Sequence, residues 1–172
     1  MDYRLGVSAR RELGGGALLE LSHEIDYLRW IFGDAESVWA YTSSSGLGLD
    51  VEDTAEIGLR FRNGISGTVH LDYVQQPGKH TLEIIGTEGT ITFDNATASA
   101  QVFRHGSREA EQILPPAGFE RNDLFLAEMK HFLHVANGKE LPICDINDGI
   151  AALKLTLAVH QSARTGKLVQ LV

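Results

Sequence analysis

Apolar residues between Leu18 and Phe32 recur at the spacing of an α-helix that is buried along much of its surface. They are Leu18, Leu19, Leu21, Ile25, Leu28, Trp30, Ile31 and Phe32. Gly33 follows, and a glycine just after the last turn ends a helix because it adopts a positive φ without strain. The pattern therefore predicts a helix that ends at Phe32. An opening loop over residues 1–16 precedes it and ends in three consecutive glycines.

From Val38 onward the spacing of apolar residues changes from the helical repeat to the two-residue repeat of a β-strand with one solvated face. Asn63-Gly64 separates two such segments, and this pair suits the positive φ angles of a tight hairpin turn. A second hairpin is predicted around a turn at residues 86–89. The strands predicted by these patterns cover about residues 38–42, 55–61, 65–73, 80–85, 90–93, 100–104 and 111–114. They indicate an antiparallel meander of about six strands.

Two further helices are predicted after Pro115-Pro116. The first begins at Asn122 or Asp123 and ends at Asn137-Gly138, and the second begins at Asn147 or Asp148 and ends at Gly166. A short strand over residues 168–172 closes the chain. This order of elements predicts a single α+β domain over residues 1–172. Its core is one largely antiparallel sheet of about six strands with helices packed on one face.

Composition and charge narrow the possible functions. The chain has 15 Lys and Arg against 23 Asp and Glu, a net charge of −8, which argues against nucleic-acid binding. No apolar run approaches the roughly 20 residues of a membrane-spanning helix, and the N-terminus lacks the apolar centre of a signal peptide. The single cysteine, Cys144, cannot form an internal disulfide. We therefore expect a soluble, cytoplasmic protein without a membrane or nucleic-acid partner.

Candidate chemistry begins on the first predicted helix. Glu20, His23 and Asp26 are spaced i, i+3 and i+6, so they fall near one side of a continuous helix. A histidine with carboxylates in reach can move protons near neutral pH, and the preceding glycines allow a ligand to approach the backbone closely. The alternative interpretation is a solvated helix face. A zinc site is not expected, because the metalloprotease pattern needs a second histidine where this chain has Tyr27.

No nucleotide-binding segment is predicted. Residues 45–51 contain two glycines after a strand, but Val51 stands where a dinucleotide fingerprint needs its third glycine. The residues that follow alternate like a strand instead of opening a helix. The run Gly14-Gly15-Gly16 precedes a helix, but no strand leads into it. We therefore expect no cofactor-binding residues in this chain.

The face of the sheet that the helices leave uncovered carries bulky residues out of phase with the core. These are Trp39, Tyr41, Val74 and Ile85. Because large apolar side chains in one patch are rarely all exposed to water, we expect homo-oligomerisation through this face, as a dimer or a larger assembly. His70 and Asp72 share the polar side of the third strand. Three interpretations of this side are open: it binds a substrate, it contacts a partner protein, or it is simply solvated.

Four segments resemble the Gfo/Idh/MocA family of NAD(P)-dependent oxidoreductases. Residues 13–33, LGGGALLELSHEIDYLRWIFG, are similar to the start of that family's C-terminal domain. Residues 83–91, EIIGTEGTI, are similar to a sheet hairpin, and residues 148–153 and 162–167 are similar to the closing helix. The resemblance covers nearly the whole chain and implies a two-domain enzyme. An N-terminal Rossmann domain would bind the cofactor, and this chain would be the α+β domain that contacts the substrate.

The resemblance also implies roles for individual residues. His23 matches the family histidine that helps to move a proton as hydride passes between the cofactor and a sugar-like carbinol. Glu20 matches the acidic position before it, at a spacing one residue shorter than the family's Asp-x-Gly-x-His. Gly15, Gly16 and Asp26 are the substrate-binding candidates. NAD or NADP is implied for the parent enzyme, bound mainly by the Rossmann domain that this chain lacks.

Two functional hypotheses follow. In the first, the chain is the substrate-binding and dimerisation domain of a dehydrogenase that acts on a sugar, nucleotide sugar or polyol, and it is inactive without its Rossmann domain. In the second, it is a stand-alone ligand-binding or assembly module without redox activity.

Overall fold

The computed structural model describes residue 4 and residues 6–171. Two short 3₁₀ turns, Val7–Ala9 and Arg11–Leu13, lie in the opening segment. The helices are Ala17–Glu20 (α1), Ser22–Phe32 (α2), Arg121–Ala136 (α3) and Ile146–Thr165 (α4). The strands are Ala35–Ser43 (β1), Thr54–Phe61 (β2), Ser66–Asp72 (β3), Thr81–Gly86 (β4), Gly89–Asp94 (β5), Ser99–Arg104 (β6), Glu111–Ile113 (β7) and Val169–Gln170 (β8). The predicted α+β class is confirmed. In this part of the chain, no helix is both long and apolar enough to cross a membrane.

The strands form two antiparallel sheets of four strands, in the orders β3-β2-β1-β8 and β4-β5-β6-β7, where the sequence predicts one sheet of about six. The segment between β3 and β4 separates them. It contains Pro77, which has no backbone N–H to donate to a neighbouring strand. Both predicted hairpins are present, at Asn63-Gly64 between β2 and β3 and at residues 86–89 between β4 and β5.

The chain divides into two compact units. The first consists of the residues up to Val74 and those from Cys144 onward, and the second consists of residues Gln75–Ile143. In the first unit, α4 packs against β1 and α2, and α1 contacts β2, β3 and α4. The large side chains of this core with less than 2% exposure include Leu18, Ile25, Val38, Ile57, Phe61 and Val159.

The first helix of the sequence prediction is interrupted. Leu21 has φ −101° and ψ +26°, outside the helical range, so α1 ends at Glu20 and α2 begins at Ser22. The backbone N–H groups of Ala17 and Leu18 are bonded to the carbonyl and the carboxylate of Glu52. The start of α1 is therefore fastened to the segment before β2. Gly33, at φ +83°, ends α2 as predicted.

β1 is paired with β2 along one edge and with β8 over part of the other edge, at Ser37 and Val38. Beyond β8, Ser162 of α4 continues this second edge. Its fully buried Oγ accepts the N–H of Ala40 at 3.0 Å and donates to the carbonyl of Lys167 at 2.7 Å. A side chain thus replaces a strand where the ladder ends, which leaves the Ala40 N–H satisfied.

The second unit contains β4–β7 and α3, a helix with no buried residue. Glu120 caps α3, two or three positions before the predicted Asn122 or Asp123, in a capping box with Asp123. Near the end of α3, the Glu140 carboxylate bonds the Nδ1 atoms of His131 at 2.8 Å and His134 at 2.7 Å. The hydrogen bonds from His134 and His131 lower the pKa of Glu140.

Candidate active site on helix α2

His23 lies in the first turn of α2, and its side chain is 61% exposed. Its Nε2 atom is 3.2 Å from Oε1 of the adjacent Glu24, whose side chain is only 12% exposed. The sequence predicts Glu20 and Asp26 as the acidic neighbours of His23. The structure instead places the carboxylate of Glu24 against the imidazole, a contact that sequence reasoning missed.

Tyr27, one turn after Glu24 on α2, forms a hydrogen bond with the same carboxylate. The pKa of Tyr27 is raised above its usual value. The largest cause is burial, and the hydrogen bond to Glu24 and the negative charge of Glu24 contribute in the same direction. The tyrosine hydroxyl therefore stays protonated and donates to Glu24. The result is a row of three groups along the start of α2: an exposed imidazole, a largely buried carboxylate and a phenol.

Glu20 and Asp26 lie at different places relative to this row. Glu20 is the exposed last residue of α1, and the interruption at Leu21 places it on a different helix from His23. Asp26 is partly exposed in the second turn of α2. Their assigned roles, acid or base for Glu20 and substrate contact for Asp26, stay predictions.

Gly15 and Gly16 are both buried, and the chain's own atoms pack closely against them. A Cβ atom added to Gly15 would lie 2.5 Å from the carbonyl oxygen of Ser8. At Gly16, where φ is +114°, it would lie 2.4 Å from Oε1 of Glu52. These glycines let the opening loop fold tightly against the start of α1. That they also contact a substrate stays a prediction.

A polar cleft of about 560 Å³ lies next to the glycine run in the first unit. The end of β1, the loop after it, α4 and Arg11 form its walls. Glu52 lines it, with the side chain 14% exposed and Oε1 3.9 Å from Nε2 of His160. No sequence pattern indicates this pair, because Glu52 lies in a loop and His160 lies among the apolar residues of α4.

The uncovered face of the first sheet carries an aromatic pair and a charged cluster. Trp39 and Tyr41 lie on β1 with ring centroids 4.6 Å apart, edge to face. On β2 and β3, His70 is held between Glu56, at 2.6 Å from Nδ1, and Asp72, at 3.1 Å from Nε2. The pKa of His70 is raised, mainly by the hydrogen bond to Glu56. The charges of Glu56 and Asp72 also raise it, and partial burial of the imidazole opposes the shift.

The described residues contain no candidate metal site. No three His, Cys, Asp or Glu side chains there are grouped closely enough to hold an ion. The His70 cluster consequently stands as a hydrogen-bonded group of side chains on the sheet surface.

A family profile described as "Oxidoreductase family, C-terminal alpha/beta domain" matches residues 7–171. The chain belongs to the Gfo/Idh/MocA oxidoreductase family. It is the C-terminal domain of that family, and the resemblance drawn from its sequence motifs is confirmed. The match includes the opening loop from residue 7 onward and residues of both compact units.

Individual proteins similar to this Gfo/Idh/MocA domain are also oxidoreductases. It is 30% identical over 170 residues to 1,5-anhydro-D-fructose reductase from Ensifer adhaerens, covering 94% of this chain and 49% of the relative. It is 25% identical, with a TM-score of 0.71, to the WlbA dehydrogenase from Bordetella pertussis solved with NADH and UDP-GlcNAcA. That alignment covers 92% of this chain and 48% of WlbA.

A third comparison supports the fold. Levoglucosan dehydrogenase, solved with NADH and L-sorbose, superposes with a TM-score of 0.83 at 24% identity over 98% of this chain and 53% of the dehydrogenase. The Gfo/Idh/MocA domain described here thus spans about half the length of the relatives that it matches.

Proposed function

We propose that this chain is the substrate-binding and dimerisation domain of an NAD(P)-dependent oxidoreductase that acts on a sugar, nucleotide sugar or polyol. The observation that carries the proposal is the exposed imidazole of His23, which lies 3.2 Å from the largely buried carboxylate of Glu24 at the start of α2. A histidine in this setting is suited to exchange a proton with a hydroxyl group near neutral pH. The carbohydrate-type relative from Ensifer adhaerens and the UDP-sugar bound to WlbA support the substrate class.

In this proposal each residue has a defined role. His23 takes the hydroxyl proton of the substrate during oxidation and returns it during reduction, and Glu20 is the second acid or base. Gly15, Gly16 and Asp26 contact the substrate. When a substrate carbinol is oxidised, the hydroxyl proton goes to the protein and the hydride on carbon goes to the nicotinamide. The residues of this chain carry the proton.

Contacts at two glycine-containing loops argue against a site there for the pyrophosphate of a nicotinamide cofactor. An anion at a helix N-terminus needs free backbone N–H groups, and those of Ala17 and Leu18 at the start of α1 are already bonded to Glu52. In the loop over residues 45–51, the N–H of Leu47 donates to the buried carboxylate of Asp53 at 2.6 Å. We therefore assign cofactor binding to a separate dinucleotide-binding domain, and we expect this chain to be inactive without it.

A cofactor titration tests this division of labour. The 172-residue chain is titrated with NADH and with NADPH while the fluorescence of Trp30 and Trp39 is followed, since these side chains are 80% and 37% exposed. We expect no saturable binding up to millimolar cofactor. We expect NAD(P)-dependent oxidation of sugars or polyols only from the protein in which the chain is joined to a dinucleotide-binding domain.

Two results would contradict the proposal. Saturable cofactor binding by the chain alone would show that its own residues form a cofactor site. A joined protein without oxidoreductase activity on any carbohydrate or polyol would favour a ligand-binding or assembly module.

The same proposal includes self-association through the uncovered face of the first sheet. Trp39 and Tyr41, the latter 63% exposed, are the large side chains that an interface there would cover. We expect sedimentation equilibrium to give a mass of at least two chains, and Trp39→Asp to lower it to one, because an interface would bury the new charge. A monomeric mass for the unsubstituted chain would contradict this assignment.

A further inference from the structure

Glu24 has the contacts of a residue that fixes the orientation of a neighbouring histidine. We infer that Glu24 is a positioning residue whose largely buried carboxylate holds His23 through Nε2 and leaves Nδ1 to exchange the proton with the substrate. The inference rests on the proposed function, and it adds a residue to which the sequence motif gives no role. Its basis is the contact between Nε2 of His23 and Oε1 of Glu24, at 3.2 Å.

The difference in burial between the two side chains decides which one positions the other. Glu24 is 12% exposed, whereas His23 is 61% exposed. The same carboxylate also accepts the hydrogen bond of Tyr27 from the next turn of α2. Because Glu24 is held by its surroundings and by a second donor, it is the fixed member of the pair. The imidazole, which has most of its surface in solvent, is oriented by it.

The chemistry of the pair selects one form of the imidazole. An ionised carboxylate attracts an N–H group and repels a nitrogen lone pair, so the charge of Glu24 favours the hydrogen on the nitrogen that lies 3.2 Å from it. In the neutral ring the hydrogen is then on Nε2, and Nδ1 has the free lone pair. The location of Glu24 in the first turn of α2 adds to this, since the positive end of a helix favours negative charge there. Glu24 thus sets both the direction of the ring and the nitrogen that takes the proton.

The first test measures the imidazole directly in the 172-residue chain. The ¹⁵N chemical shifts of the His23 ring above neutral pH report which nitrogen carries the hydrogen. In the unsubstituted chain we expect the Nε2–H tautomer to dominate. In Glu24→Ala we expect the tautomer mixture of imidazole in water. In Glu24→Gln the Nε2–H tautomer should dominate again, because the amide oxygen can still accept a hydrogen bond. Glu128→Ala, which removes an exposed glutamate from the middle of α3, is the matched control and should leave the His23 signals unchanged.

The second test measures turnover in the protein in which the chain is joined to a dinucleotide-binding domain. We expect Glu24→Ala to lower kcat about 10-fold or more, as removal of the partner that orients a functional histidine does, with KM changed less than about twofold. Glu24→Gln should recover most of kcat, and Glu128→Ala should retain it. If Glu24→Ala does not fold, Tyr27→Phe replaces it, because loss of the hydroxyl frees the carboxylate and should change both readouts in the same direction.

The outcomes separate this inference from the proposed function. His23 ring signals that are the same with and without the Glu24 carboxylate would overturn the positioning role. So would a rise in KM with kcat unchanged, which would indicate a binding or structural role. A joined protein that is inactive without any substitution would overturn the proposed function, and the ¹⁵N measurement would still decide the role of Glu24.

Discussion

The His23→Ala variant is expected to lower kcat of the joined oxidoreductase by at least about 100-fold, the lower range for loss of a general acid or base. The expected effect is on kcat, because alanine removes the group that exchanges the proton, while the substrate still meets the other residues of the site. The measurement is steady-state NAD(P)H absorbance at saturating substrate.

A histidine elsewhere in the chain provides the control for this variant. His105 lies in an exposed turn of the second unit, and His105→Ala should retain kcat. Circular dichroism of both variants verifies that the helices are intact. Unchanged turnover in His23→Ala would remove His23 from the mechanism and leave Glu20 as the predicted acid or base.

The second large effect is on stability. Phe61→Ala is expected to lower the free energy of unfolding by about 3–5 kcal/mol, the usual cost of truncating a buried phenylalanine. Phe61, at the end of β2, is 2% exposed, and its ring lies 5.3 Å from that of Phe32 at the end of α2. Removal of the ring loses apolar burial and leaves a cavity where α2 meets the sheet.

Urea unfolding of the 172-residue chain, followed by circular dichroism, measures this loss. Trp30→Ala is the control in the same compact unit, because the Trp30 side chain is 80% exposed and should change the free energy of unfolding by less than about 0.5 kcal/mol. A Phe61→Ala variant as stable as Trp30→Ala would show that the Phe61 ring is not buried between α2 and β2.

The strands and hairpins of this domain were predictable because their signals are local. Ala55, Ile57 and Leu59 alternate with polar residues in the sequence, and the structure buries them on one face of β2 as predicted. The turn at Asn63-Gly64 forms where the pattern predicts it, although Gly64, at φ +88°, has the positive φ that the pattern favoured for both residues and Asn63 does not. Local patterns of this kind need no knowledge of the rest of the chain.

The details of the site depend on two kinds of contact that sequence patterns do not predict: contacts between residues distant in sequence, and a contact between adjacent helical residues. α1 ends at Glu20, and the N–H groups of its first turn are hydrogen-bonded to Glu52, 34 residues after Leu18. The spacing of apolar residues along the helix cannot reveal such a distant contact. The pairing of His23 with Glu24 was missed because adjacent helical residues do not usually face each other. The burial of Glu24 and its bond to Tyr27 make that contact possible. His23 was predicted from its spacing with Glu20 and Asp26 and from a motif that resembles the family's, and its catalytic role stays a prediction.

The edge of β1 has a consequence for synthesis of the protein on the ribosome. β1 is translated before Ser162, whose hydroxyl binds the Ala40 N–H and which follows 122 residues later, and β8 follows after that. Until those residues emerge, the nascent chain exposes an unpaired strand edge, the feature through which chains aggregate. A ribosome that stops before Ser162 therefore releases a product with β1 open on one side. Such products should be the ones that chaperones and proteases remove.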